Sequence, residues 1–251
     1  MKIGMMDSGL GGLTVLKACL QRLPAHEYLY YADSNHAPYG TKSKEEVYQL
    51  TEAAVDFLVK KGANIIVIAC NTATSAAATG LREKYEIPII GMEPAIKPAL
   101  QLAAHKRVLV LATELTLHQQ KFRDLIAAFD ASAQIDFIPM NELVAFAEAG
   151  NFHRHTIMTY LSSKFANLNL DLYGSVVLGC THFPLFKAYF EAFFPMGTMI
   201  VDGAVGTANR VKEFVTFNSE TPNTSFFLSG EPLTEGQFFD QIQKILEMDG
   251  K

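Results

Sequence analysis

Asn64-Ile65-Ile66-Val67-Ile68-Ala69-Cys70, followed by Asn71-Thr72-Ala73-Thr74-Ser75-Ala76-Ala77-Ala78, reads as a buried strand that ends in a thiol and turns directly into a helix. The β-branched run is short and apolar, as a central parallel strand requires, and the small polar residues behind it suit a helix start. The unit recurs as Tyr173-Gly174-Ser175-Val176-Val177-Leu178-Gly179-Cys180, followed by Thr181-His182-Phe183-Pro184-Leu185-Phe186-Lys187. In open α/β sheets ligands collect beyond the carboxyl ends of strands, where helix N-termini offer free N–H groups, so both thiols are expected to face binding space. Two thiols facing one substrate can remove and replace a proton from opposite sides.

Outward from these two units, apolar runs alternate with helical periodicity along most of the chain, the pattern of βαβ units around parallel sheets. The fold class is α/β. Expected strands are 2–6, 28–32, 65–69, 87–91, 107–111, 135–138, 175–178, 199–201 and 225–228, too many for one short sheet. Val47, Leu50, Ala54, Phe57 and Leu58 make one helical face that Gly62 ends. The stretch Met92-Glu93-Pro94-Ala95-Ile96-Lys97-Pro98 marks a change of domain, and a second crossing is expected near Asp202-Gly203-Ala204-Val205-Gly206. The expected division is residues 1–93 plus 206–251, holding Asp7 and Cys70, and 94–205, holding Cys180 and His182.

Composition narrows the functional classes. With 49% hydrophobic and 19% charged residues, the 251-residue chain can fill a sizeable core, and its net charge of −5 gives no basic footprint for nucleic acid. No apolar run approaches the roughly 18 residues of a membrane span, and no leader pattern precedes the first strand, so a cytoplasmic protein is expected. Three cysteines make no disulfide framework. Cys19 lies inside the helical pattern Leu13-Val15-Leu16-Ala18-Leu20 and reads as core or helix surface, as a cysteine alone usually does. Cys70 and Cys180 differ in being followed at once by hydrogen-bonding side chains, and a helix N-terminus beside a thiol is expected to lower its pKa.

Other strand ends add candidates. The first strand runs into Asp7-Ser8-Gly9-Leu10-Gly11-Gly12, whose glycines suit close approach to an anion but match neither G-x-G-x-x-G nor a P-loop. Asp7 can orient Cys70 or accept its proton, or merely cap the next helix. The second strand leads to Asp33 and the turn His36-Ala37-Pro38-Tyr39-Gly40-Thr41, which can present backbone donors and a phenol at the same rim. His182, two residues past Cys180, can shuttle its proton. His153 and His155 read as solvated, and no cluster has metal-ligand spacing.

Together and in this order, DSGLGGLTV, PYGTK, ACNTATS and GCTHFPL resemble the glutamate racemases of the cofactor-independent aspartate/glutamate racemase superfamily. The resemblance covers essentially the whole chain. It implies two flavodoxin-like domains in pseudo-twofold relation with a cleft between them, a homodimer, no cofactor or metal, and interconversion of L- and D-glutamate for peptidoglycan synthesis. It implies Cys70 as the acid/base residue acting on D-glutamate and Cys180 on L-glutamate, with Asp7 supporting the first and His182 the second. Substrate contacts are implied from Asp7, Ser8, Tyr39, Gly40, Asn71, Thr72, Thr181 and His182. Glu148 stands as counterpart of a glutamate that assists the second thiol, in a segment, 137–148, that departs from the usual Pro-Leu-Val-Glu type. Beside that resemblance, the chain is expected to lack the N-terminal extension with which some members bind a cell-wall precursor activator. The alternatives are racemisation of aspartate or a related isomerisation, and an amino-acid-binding protein without turnover.

Overall fold

A computed structural model of the chain describes residues 1–92, 94–127, 132–216 and 223–247; Glu93, at the expected boundary, lies outside them. The chain runs β1 (Lys2–Asp7), α1 (Leu13–Arg22), β2 (Glu27–Ala32), α2 (Lys44–Lys60), β3 (Ile65–Ile68), α3 (Asn71–Lys84), β4 (Ile89–Gly91), α4 (Ile96–Leu102) and β5 (Arg107–Ala112). It continues through α5 (Glu114–His118), α6 (Gln120–Ala127), β6 (Ile135–Pro139), α7 (Asn141–Glu148), α8 (Arg154–Phe165), β7 (Tyr173–Leu178), α9 (Lys187–Phe193), β8 (Met199–Asp202), α10 (Ala204–Lys212), β9 (Asn223–Leu228), β10 (Glu231–Leu233) and α11 (Gln237–Glu247).

Local sequence explains the element ends. Ser43 and Glu46 form a reciprocal capping box at the start of α2, satisfying two free N–H groups. The same helix stops at Gly62, whose φ of +90° is a conformation that side chains resist. The strands expected from sequence all form, with shifted ends. The fourth starts two residues late, at Ile89, and β10 has no counterpart in the expectation because three residues containing a proline carry no periodic signal.

Among the described residues the strands make two sheets, ordered β10-β9-β2-β1-β3-β4 and β6-β5-β7-β8. Every pairing is parallel except the β9–β10 hairpin. The first sheet takes its strands from both ends of the chain and the second from the middle. After β8 the chain returns through α10, which packs on α1 and β4 of the first sheet. One face of each sheet shares a continuous apolar core with α1, α7, α8, α9, α10 and α11, running from Ile3, Met5 and Tyr30 to Leu109, Val176 and Leu178. The opposite faces are covered separately, the first sheet by α2 and α3 and the second by α4. This shared core brings the carboxyl ends of the two sheets together.

Candidate active site

Cys70 caps α3. Its Sγ accepts the Ala73 N–H at 3.5 Å and lies 3.7 Å from the Ser8 hydroxyl beyond β1. The next residue, Asn71, is 3% exposed, and neither polar atom of its amide has a hydrogen-bond partner in the protein. A buried amide left unpaired costs about 1–3 kcal/mol, which a polar ligand would recover. Thr72 completes the helix start: its hydroxyl meets those of Thr113 at 3.0 Å and Thr116 at 3.1 Å, and these two lie 2.9 Å apart. Thr113 caps α5 at the carboxyl end of β5, so this triangle of hydroxyls joins the two sheets.

Cys180 follows β7, but the helix expected behind it starts as a 3-10 turn over Phe183–Phe186 before α9. Its Sγ lies 3.7 Å from His182 Nδ1, and His182 Nε2 lies 2.5 Å from Glu148 Oε1 at the end of α7. That same oxygen accepts the Leu10 N–H at 2.7 Å, from the loop after β1. The Thr181 hydroxyl donates to Asp7 Oδ1 at 3.0 Å, while Asp7 Oδ2 accepts the Gly9 N–H at 3.0 Å.

The glycines of the Asp7–Gly12 loop serve close approach to an anion, and that anion is internal. A Cβ on Gly9 would overlap the Glu148 carboxylate, and one on Gly11 would come within 2.5 Å of both His182 Nδ1 and Thr181 Oγ1. Asp7 therefore does not cap α1, whose N-cap is Gly12; it caps its own turn and reaches across to Thr181. The structure brings Asp7, Ser8, Cys70, Asn71, Thr72, Glu148, Cys180, Thr181 and His182 to one place. His153 and His155 lie away from it, exposed at the start of α8.

Tyr39 reaches the rim differently from expectation. Its side chain is buried and its hydroxyl donates to Asp33 Oδ2 at 2.6 Å, so the phenol serves the loop. Asp33 Oδ1 in turn accepts from Ser229, in the β9–β10 turn, at 3.0 Å and lies 2.9 Å from His36 Nδ1. A Cβ on Gly40 would meet Thr113 at 2.8 Å, which places the loop against the threonine triangle.

The sequence matches the family described as Asp/Glu/hydantoin racemase over residues 3–211. It is 44% identical to a glutamate racemase of Halothermothrix orenii over 92% of this chain and 94% of that one. The chain belongs to this family. A glutamate racemase of Campylobacter curvus is 43% identical over 99% of this chain and all of its own length. Among solved structures, Escherichia coli glutamate racemase in complex with L-glutamate and an activator superposes with a TM-score of 0.82 at 29% identity, covering 98% and 94% of the two chains. The likeness to glutamate racemases read from the motifs is thereby borne out.

Protonation in this member of the family departs from one expectation. Burial and the neighbouring Asp7 charge outweigh the Ala73 N–H and push the Cys70 thiol up to about 12, so the helix start does not lower it. Burial likewise raises the Asp7 carboxyl to about 6 against the opposing pull of His182. Burial alone would keep His182 neutral, but its hydrogen bonds to Cys180 and Glu148 and their charges hold it well above the ordinary imidazole range. Cys19 is fully buried on α1 and its thiol is also pushed up to about 12 by burial, as a core residue.

Thr113 and Thr116, which bond Thr72, are residues that sequence reading passed over, and Asp33 was noted there only as a strand end and not as the partner of Tyr39. Thr113 and Asp33 carry the signal used for the cysteines, a polar residue directly after a strand. Among the described residues no group of three or more His, Cys, Asp or Glu side chains is placed to hold a metal ion, and no helix is long and apolar enough to cross a membrane.

Proposed function

We propose that this protein racemises glutamate by two-base proton transfer between Cys70 and Cys180, without a cofactor. The observation that carries the proposal is that the two thiols lie beyond the carboxyl ends of β3 and β7 in sheets that share one core, Cys70 3.7 Å from Ser8 and Cys180 beside Thr181, whose hydroxyl is bonded to Asp7, the residue before Ser8. The glutamate racemases that resemble the chain over nearly its whole length support the choice of substrate.

In this reading the unpaired Asn71 amide, with Ser8 and Thr181 beside the thiols, orients the α-ammonium and α-carboxylate. The hydroxyls of Thr72, Thr113 and Thr116 turn from one another toward the side-chain carboxylate. With L-glutamate, the thiolate of Cys180, paired with cationic His182, takes the α-proton. The Cα–H electrons pass into the carboxylate, whose charge nearby donors stabilise. Cys70, held as a thiol, gives its proton to the opposite face. The product is D-glutamate, with a thiol at Cys180 and a thiolate at Cys70, which is the arrangement the reverse reaction needs. Burial of the site keeps bulk water from the carbanion-like intermediate.

We read the chain as two lobes, 1–93 with 206–251 and 94–205, and as a cytoplasmic homodimer that supplies D-glutamate for peptidoglycan. Circular dichroism on L-glutamate, on L-aspartate and on buffer, with no added cofactor, tests the function. Loss of ellipticity with L-glutamate is expected. Loss with L-aspartate alone moves the assignment to an aspartate racemase, and no change with either leaves a binding protein.

A further inference from the structure

We infer that Tyr30 is a positioning residue for the Cys180 half of the site, acting through the peptide unit between Gly9 and Leu10. The inference rests on the proposed reaction for its catalytic meaning and on geometry alone for its structural content.

Tyr30 lies on β2, facing the shared core, with its ring fully buried. Its hydroxyl donates to the Gly9 carbonyl at 2.8 Å. That carbonyl and the Leu10 N–H belong to one planar peptide, so fixing the oxygen fixes the direction of the N–H. The N–H points to Glu148 Oε1 at 2.7 Å, the oxygen that lies 2.5 Å from His182 Nε2, and His182 Nδ1 faces Cys180 Sγ at 3.7 Å. A rigid path therefore runs from a strand of the first sheet to the thiol of the second. Gly12 leaves room for it, because a Cβ there would come within 2.8 Å of the Tyr30 hydroxyl. Burial and the charges of Asp7 and Glu148 raise the Tyr30 phenol far above its ordinary range, so it stays a donor. Glu148, Asp7 and Cys180 are the ionisable groups acting on His182 along this path.

The same strand supplies the control. Tyr28 is equally buried on the same face and donates at 2.8 Å to a backbone carbonyl, that of Leu23, which leads nowhere near Glu148. Tyr30→Phe and Tyr28→Phe therefore remove matched hydroxyls. The measurement is the pH titration of His182 by nitrogen NMR in protein labelled at histidine nitrogens, with the signal assigned by its loss in His182→Asn. In Tyr30→Phe the midpoint of His182 should fall by about one pH unit relative to the parent, as the Leu10 N–H no longer holds the Glu148 carboxylate against His182 Nε2, whereas Tyr28→Phe should leave it in place. Turnover of L-glutamate should fall about tenfold in Tyr30→Phe, with little change in KM. Equal midpoints in the two variants would overturn the inference, whatever the turnover. A shifted midpoint in a protein that racemises nothing would uphold the path and overturn the proposed function instead.

Discussion

The hydroxyl of Thr181 donates to the carboxylate of Asp7 at 3.0 Å, tying the central strand of one sheet to the turn behind Cys180 in the other. The carboxylate is fully buried and raised to about 6, so it sits at the meeting point at an electrostatic cost.

That cost has a sign and a window. The unfolded Asp7 loses its proton near 3.8, whereas the native one holds it to about 6. Between these values the native state binds more protons, so stability from this group falls as pH rises, by about 3 kcal/mol once above the native value. In Asp7→Asn the amide can donate to Thr181 and still accept from Gly9, so the variant should gain about 2.5 kcal/mol relative to the parent between about pH 4 and pH 7.5 while losing racemisation. Urea unfolding at both pH values checks this. A difference independent of pH would show that Asp7 is not raised in the fold.

Cys70→Ser and Cys180→Ser should each lower racemisation by at least about a thousandfold, because a hydroxyl is a far weaker acid than a thiol. Cys19→Ser, in the core of α1, should keep turnover within about threefold. Circular dichroism with L- and D-glutamate reads both, and normal turnover by either active-site variant would end the two-thiol mechanism.

His182→Asn should act unequally on the two directions, but not in kcat/KM. Enantiomers have equal free energies, so the ratio of kcat/KM values stays at one for every variant; only kcat and KM separately, and isotope effects, can differ. With α-deuterated substrates, the primary isotope effect should rise more for L-glutamate than for D-glutamate, since His182 contacts Cys180 and not Cys70. Identical changes in the two directions would detach His182 from the L-specific step.

Gly9→Ala places a methyl against the Glu148 carboxylate and should destabilise the protein by about 1–3 kcal/mol and lower turnover. In a Glu148→Ala background the stability cost of Gly9→Ala should shrink to less than half. A thermodynamic cycle from four unfolding curves measures the coupling. Additive effects would mean that Gly9 serves the turn rather than the carboxylate.

Ser229→Ala removes one of the hydrogen bonds that hold Asp33, and through it Tyr39. KM for glutamate should rise about three- to tenfold with kcat within about twofold, as a hydrogen bond to a charged group is lost at the rim. Unchanged KM in steady-state assays would separate the hairpin from the site.

Much of this was legible in the chain before its structure. The strands ending at Asp7, Cys70 and Cys180 carry unbroken β-branched or apolar runs, and a thiol followed by polar residues marks a strand end. Glu148 was named on resemblance alone. Its contact with His182 depends on how α7 packs, which periodicity does not encode. The raised Cys70 pKa was also hidden, because a local view counts the helix N–H groups and misses burial and the opposing Asp7 charge. The partner of the Tyr39 phenol was hidden in the same way: a polar turn does not show that Asp33 takes its hydroxyl.

The hydrogen bond from Ser229 to Asp33 also orders events during synthesis. Asp7, Cys70, Glu148, Cys180 and His182 all precede residue 204 and leave the ribosome before α10, but the rim around Tyr39 gains its clamp only when the β9–β10 turn emerges. A nascent chain thus contains these five side chains while still lacking the Ser229 hydrogen bond to Asp33, and a product cut short after α10 would lack it permanently, together with β9 and α11.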